Sequence, residues 1–144
     1  MIALLLAAAI WPPWQTVAQG ASLEARDFGH KAFVAGTLSA TRAFTPYLRD
    51  EDKGAVTRVN FTQVVVVAAL TTSPTPCYRI EIVDLRRRRR TLTVTAVLHP
   101  PPPRIGCIFA VGRPYHVISV ARRVVGTPLP RRVVLREQPP APSP

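Results

Sequence analysis

Acidic side chains are scarce in this sequence. Eight Asp and Glu stand against 19 Lys and Arg in 144 residues, a formal charge of +11 that disfavours an acidic cation-binding module and admits an anionic partner. Cysteine is scarcer still: Cys77 and Cys107 are the only two, enough for one intramolecular bridge. Neither belongs to a Cys-x-x-Cys pair, and His30, His99 and His116 are scattered, so metal-ligand spacing is missing and no metal or other cofactor is expected. A phosphate-cradling Gly loop is absent as well. Sixteen prolines exclude a long-helix protein, because proline breaks helices and central strands wherever it falls. What is present is 47% hydrophobic residues, enough to bury a core in a chain of single-domain length.

Every side chain from Ile2 to Ile10 is Ile, Leu or Ala, a run of signal-peptide length and well short of the roughly 18 residues that span a bilayer. Trp11, Pro12, Pro13 and Trp14 interrupt it, and Ala18, Gly20 and Ala21 offer small residues for cleavage. Residues 1–20 therefore read as a signal peptide that directs export and leaves no membrane span in the mature chain. No Lys or Arg precedes the apolar stretch, so the terminal amine is its only positive charge. In an exported chain Cys77 and Cys107 meet an oxidising compartment, and a bridge closing about thirty residues stabilises by roughly 3 to 4 kcal/mol. One structural disulfide is preferred over metal ligation or a Cys/His nucleophile, which would need a thiolate held beside an imidazole.

Past the leader, residues 21–54 mix Phe33, Val34, Leu38, Phe44 and Tyr47 with Gly36 and Pro46, which suits short strands or an irregular connection. A charged turn, or one helical turn, follows over Arg49, Asp50, Glu51, Asp52 and Lys53, closed by Gly54. Residues 55–122 carry the main β signal. Gln63 to Leu70 holds four successive valines, the pattern of a strand buried on both faces. Tyr78, Ile80 and Ile82 alternate with Arg79 and Glu81, while Leu92, Val94, Ala96 and Leu98 alternate with threonines, so a hairpin pairing Ile82 with Val94 and Ile80 with Ala96 puts the apolar groups on one face. Arg86, Arg87, Arg88, Arg89 and Arg90 then form its tip. The prolines at 100–103 end that strand. Residues 105–111 and 115–121 read as two further strands, or as one bent at Gly112, Arg113 and Pro114. An extension, residues 123–137, adds an edge strand at Val133, Val134 and Leu135, and residues 138–144 form a Pro-rich disordered tail. The fold class is mainly β: a small antiparallel sandwich or partly open barrel with at most one short helix.

Chemistry is weakly signalled. Guanidinium groups fork phosphates and carboxylates, yet a basic hairpin tip also keeps a sheet edge soluble and unpaired. The acids of residues 50–52 read as solvated surface, Glu81 and Asp84 as partners for nearby arginines, and His116 as a structural residue within a strand. Asn60, Phe61 and Thr62 form a glycosylation sequon beside the buried strand.

Three stretches resemble the PrcB C-terminal domain family of exported bacterial proteins. Asn60, Phe61 and Thr62 before the valine strand are similar to its Asp-Phe-Ser-like entry. Thr75, Pro76, Cys77 and Tyr78 resemble its Thr-Gly-Gly-Tyr turn, and Pro114, Tyr115, His116, Val117 and Ile118 its Pro-Tyr-His-x-Val strand. Pro76 and Cys77 stand at the two glycine positions, where a Cys77–Cys107 bridge would replace the missing backbone freedom. The resemblance implies a non-catalytic exported module that binds or stabilises a protease or another envelope protein. For an interaction module of this kind the expected contact residues are Thr75, Pro76, Tyr78, Arg113, Pro114 and Tyr115, on loops 71–77 and 112–115 converging at one end. Two alternatives stand beside it: a protease inhibitor using the same loops, and a cationic binder of polyanions through Arg86 to Arg90.

Overall fold

A computed structural model describes residues 13–23 and 29–140. The apolar run at 2–10 and the last four residues of the Pro-rich tail lie outside the described residues. Among the described residues seven strands form two sheets that pack face to face as a sandwich. The first is antiparallel, in the order β1 (Trp14–Ser22), β6 (Arg113–Ala121), β3 (Val64–Leu70), β2 (Lys31–Ala35). The second runs β4 (Arg79–Arg88), β5 (Thr91–His99), β7 (Arg132–Gln138), with β7 parallel to β5.

The valine run is buried on both faces because it lies inside three layers. Alternate residues point opposite ways along a strand, so Val65, Val67 and Ala69 of β3 face the second sheet with Ile118 and Val120 of β6, meeting Ile80, Ile82, Leu92, Val94 and Ala96. Val66, Ala68 and Leu70, with Tyr115 and Val117, face the other way, onto Phe44, Leu48 and Val56. Those three come from a helical layer: 3-10 turns at Ser39–Ala43 and Thr45–Tyr47, then α1 (Asp50–Thr57). Asp50, Glu51 and Asp52 occupy the first turn of α1, where negative charge complements the helix dipole. The helix continues through Gly54 rather than closing there. A single helical turn, α2 (Arg122–Val125), follows β6.

The hairpin differs from its expected register. Ile82 pairs with Ala96 and Ile80 with Leu98, two residues from the pairing read in the sequence. A shift of two preserves the face of every side chain, so the apolar alternation cannot distinguish the registers. A bulge between Ile82 and Asp84 then restores Leu85 opposite Val94. The strand therefore runs on through Arg88, and only Arg89, at φ 57°, and Arg90 make the turn. Residues 105–111, expected as a strand, are irregular. They are apolar on both sides and would need a central place in a sheet, but both ladders of β6 are already taken by β1 and β3. At the C-terminal end the edge strand is longer than Val133 to Leu135 and takes in Gln138, the first residue assigned to the tail.

The boundary at residue 20 falls inside β1, whose residues Trp14 to Ser22 pair with β6. Ala18, Gly20 and Ala21 are thus strand residues, and a cut that keeps the sheet intact lies before Trp14. A chain beginning at Ala21 is expected to lose cooperative thermal unfolding, whereas one beginning at Pro13 keeps it; melts followed by circular dichroism compare the two.

Candidate functional site

β6 carries an anchor on each face. His116 points to the second sheet, where its Nδ1 accepts the backbone N–H of Ile82 at 2.9 Å. That bond fixes the tautomer: Nε2 bears the hydrogen and donates to Thr16 Oγ1 at 2.8 Å. Both partners adjoin irregularities, the shift between Thr16 and Ala18 in β1 and the bulge after Ile82 in β4. Burial of the imidazole lowers its pKa to about 4, so it is neutral at pH 7. Tyr115 points the other way. Its hydroxyl donates to Asp52 Oδ2 and accepts the N–H of Arg49 at 3.2 Å, fastening α1 to the sheet; burial and the Asp52 bond raise its pKa. The Arg49 guanidinium lies over Gly20, where a Cβ would meet it at 2.9 Å.

These positions correct part of the expected contact surface. Arg113, Pro114 and Tyr115 belong to strand β6, not to a loop, and are buried. Arg113 donates to Thr72 Oγ1 at 3.1 Å, and Tyr115 is a core residue. The aromatic and Pro-rich composition of this stretch serves packing between layers. Thr75, Pro76 and Tyr78 are half-buried beside β4. Loop 71–77 does meet the start of β6: Ser73 bridges to Gly112, where a Cβ would lie 2.5 Å from Thr75 O.

At this end, Cys77 and Cys107 are bridged, with Cα atoms 6.2 Å apart. The bridge holds a segment absent from the expected site. Ile105, Ile108 and Val111 of residues 105–111 are more than half exposed, and Phe109 is 102% exposed. Apolar side chains placed together in water mark a contact surface more strongly than single exposed ones. The sequence signal was the apolar run itself, which reads equally well as a strand.

The arginine pentad is divided by the fold. Arg87 turns inward and donates from Nε to Arg89 O at 2.7 Å and from its guanidinium to Val125 O at 3.0 Å. It caps carbonyls at the end of the sandwich. Arg86, Arg88, Arg89 and Arg90 are exposed.

Three polar groupings join separate strands. His30 Nδ1 lies 2.7 Å from Glu137 Oε1, and Thr71 Oγ1 contacts both. Proton relay through an imidazole needs both ring nitrogens, one facing the nucleophile and one the acid. Here one nitrogen meets both partners, so the group acts as a clamp between β7 and the ends of β2 and β3. His99 Nε2 pairs with Glu81 at 2.9 Å across the hairpin. On the opposite edge, Gln19 donates to Ile80 O at 2.8 Å, tying β1 to β4. Among the described residues no cluster of His, Cys, Asp and Glu could hold a metal ion, and no helix is long and apolar enough to cross a membrane.

The chain matches no protein-family model, no curated protein and no solved structure.

His116 is about 4 when folded and ordinarily near 6.5, so the unfolded chain binds the extra proton between these values. Its contribution is fully present above pH 6.5 and is lost as pH falls towards 4, by about 3 kcal/mol. Urea melts at pH 7 and 4.5 should show that slope in the parent and a smaller one in His116→Ala, which is also destabilised at pH 7 by roughly 1 to 3 kcal/mol for the orphaned Ile82 N–H. For Gly112→Ala, displacement of the 75–76 backbone is expected to cost about 1 to 3 kcal/mol, read from the same melts.

Proposed function

We propose that this chain is an exported, non-catalytic protein-interaction module of the kind that the resemblance to PrcB C-terminal domains implies. The observation that carries this reading is the apolar segment at 105–111, with Phe109 wholly exposed and held by the Cys77–Cys107 bridge. A tethered segment surrenders less conformational freedom on binding than a free one, so more of its burial energy reaches the complex. An aromatic anchor with aliphatic neighbours is the composition of an interface hot spot. The disulfide is compatible with export, since such bonds persist in oxidising compartments. In this reading the contact centre moves from Tyr115, which is buried, to Phe109, with Pro76 and Tyr78 near its margin. A protease or another envelope protein is the proposed partner.

The same segment favours one second reading, a protease inhibitor. An exposed Phe two residues beyond a bridged cysteine would suit a protease with a hydrophobic specificity slot. Stoichiometric titration of a chymotrypsin-like protease separates the two: inhibition abolished by Phe109→Ser supports the inhibitor, and its absence leaves the interaction module.

For the module itself, capture from the native envelope fraction should retain one protein through nuclease treatment and moderate salt. Ile108→Ser/Phe109→Ser is expected to lose that protein while its melting temperature stays unchanged. Equal capture by this variant would refute the assignment of the surface. Cys77→Ser/Cys107→Ser should lower stability by about 3 to 4 kcal/mol and weaken capture through loss of the tether.

A further inference from the structure

Among the described residues, no layer covers the outer face of the β4-β5-β7 sheet. Its middle strand places Thr91 and Thr93, both half-buried, and Thr95, only 8% exposed, on this face, followed by the buried Val97 and with Val134 beside Thr93. The register places Arg88 and Arg132 on either side of Thr91, Arg86 beside Thr93, and Asp84 and Arg136 on either side of Thr95. Neighbouring strands lie roughly 5 Å apart, and alternate residues roughly 7 Å apart along each strand, so four guanidinium groups border a row of hydroxyls. A shallow depression of about 450 Å³ lies over the Thr93–Thr95 part of this row, lined also by Val83, Asp84, Arg86, Arg136 and Gln138.

The charge on the face is poorly balanced from within the protein. Asp84 Oδ2 is 3.7 Å from Arg86 Nε. Of the nearby acids, Glu81 is engaged by His99 and Glu137 by His30. Among the described residues no carboxylate reaches Arg88, Arg132 or Arg136 within ion-pair distance. Protecting sheet edges accounts for charge on β4 and β7, but it does not require the threonine row between them.

We propose that this face binds an extended, phosphate-bearing polyanion laid along β5. Guanidinium forks from both flanking strands would engage phosphate oxygens, and the threonine hydroxyls would donate to the oxygens between them. Alongside Thr91 to Thr95 the register places no Phe, Tyr or Trp on which a base could stack. Recognition is therefore of the phosphate chain alone, whether it comes from a single-stranded nucleic acid or from another phosphate polymer. This surface is independent of the 105–111 segment and of the proposed protein contact there.

The test is a titration of labelled oligothymidylate over a salt series, with inorganic polyphosphate as competitor. Log affinity should fall linearly with log salt, by roughly 0.7 per phosphate contact. Arg86→Ser/Arg88→Ser/Arg132→Ser/Arg136→Ser should flatten the slope by about 3 and lower affinity at least tenfold. A variant of equal net charge, Arg42→Ser/Arg58→Ser/Arg104→Ser/Arg123→Ser, should retain the parent slope. Competition by polyphosphate supports phosphate chemistry common to both sources; oligothymidylate binding that polyphosphate cannot displace overturns it. Equal losses in the two quadruple variants, or no binding at low salt, also overturn the proposal. Thermal melts monitor folding. If the first variant is unfolded, Arg86→Ser/Arg136→Ser, with an expected slope change of about 1.4, and the charge-neutral Thr93→Val, with a several-fold loss, decide in its place.

Discussion

The bond from the Ile82 amide to His116 is the constraint on which the sandwich turns. β6 lies inside the first sheet, paired with both β1 and β3, and its imidazole satisfies an amide of the second sheet at the start of the β4 bulge. An unpaired buried N–H costs as much as a lost hydrogen bond or more. The ring must therefore be neutral, in one tautomer, and held by Thr16 on its far side. Apolar packing between the sheets favours burial without direction; this chain of three groups sets the lateral position of one sheet against the other. Tyr115, one residue earlier, does the corresponding work on the opposite face, so consecutive residues of one strand hold three layers together.

Arginine has two roles separated by the fold. Arg87, Arg113 and Arg122 spend their donors inside the molecule; Arg122 reaches Gly36 O at 2.8 Å and Phe61 O at 3.1 Å, closing the end of β6 over the loop before β3. Such long side chains supply donors to carbonyls that strand ends leave open. Others, including Arg86, Arg88, Arg132 and Arg136, stand in solvent. The net charge of +11 is therefore a poor guide to the available electrostatic surface, because part of it is consumed as structural hydrogen bonding. The apolar segment at 105–111 is separate: it follows β5 and precedes β6, whereas the arginine turn joins the other ends of β4 and β5.

Much of the fold was legible in the sequence for physical reasons particular to each element. The valines of β3 reported burial on both faces, and the alternation in β4 and β5 reported an amphipathic hairpin. The disulfide followed from two cysteines in a chain read as exported. The candidate site was less legible. Tyr115 and Arg113 looked like loop contacts because proline and glycine precede and interrupt them, yet Pro114 sits within the strand. Phe109 looked like a strand residue because exposure leaves no mark in an apolar run. The threonines of β5 were visible as the polar face of a strand, but their arginine neighbours on β7 come from a segment some forty residues away, joined by a parallel pairing that local pattern does not encode.

The sequence by itself determined which residues face inward along β5 and along β4 as far as Ile82, because the period of two is a local property of the extended backbone. It determined too that the chain is mainly β, since proline and the short apolar runs leave no room for long helices. Only the tertiary structure decided the hairpin register, the helical cover over the first sheet, the parallel place of β7 and the division of the arginines. Each of these depends on energies between distant residues: a two-residue slip preserves every face, and a guanidinium is structural or free according to which carbonyls the fold brings within its reach.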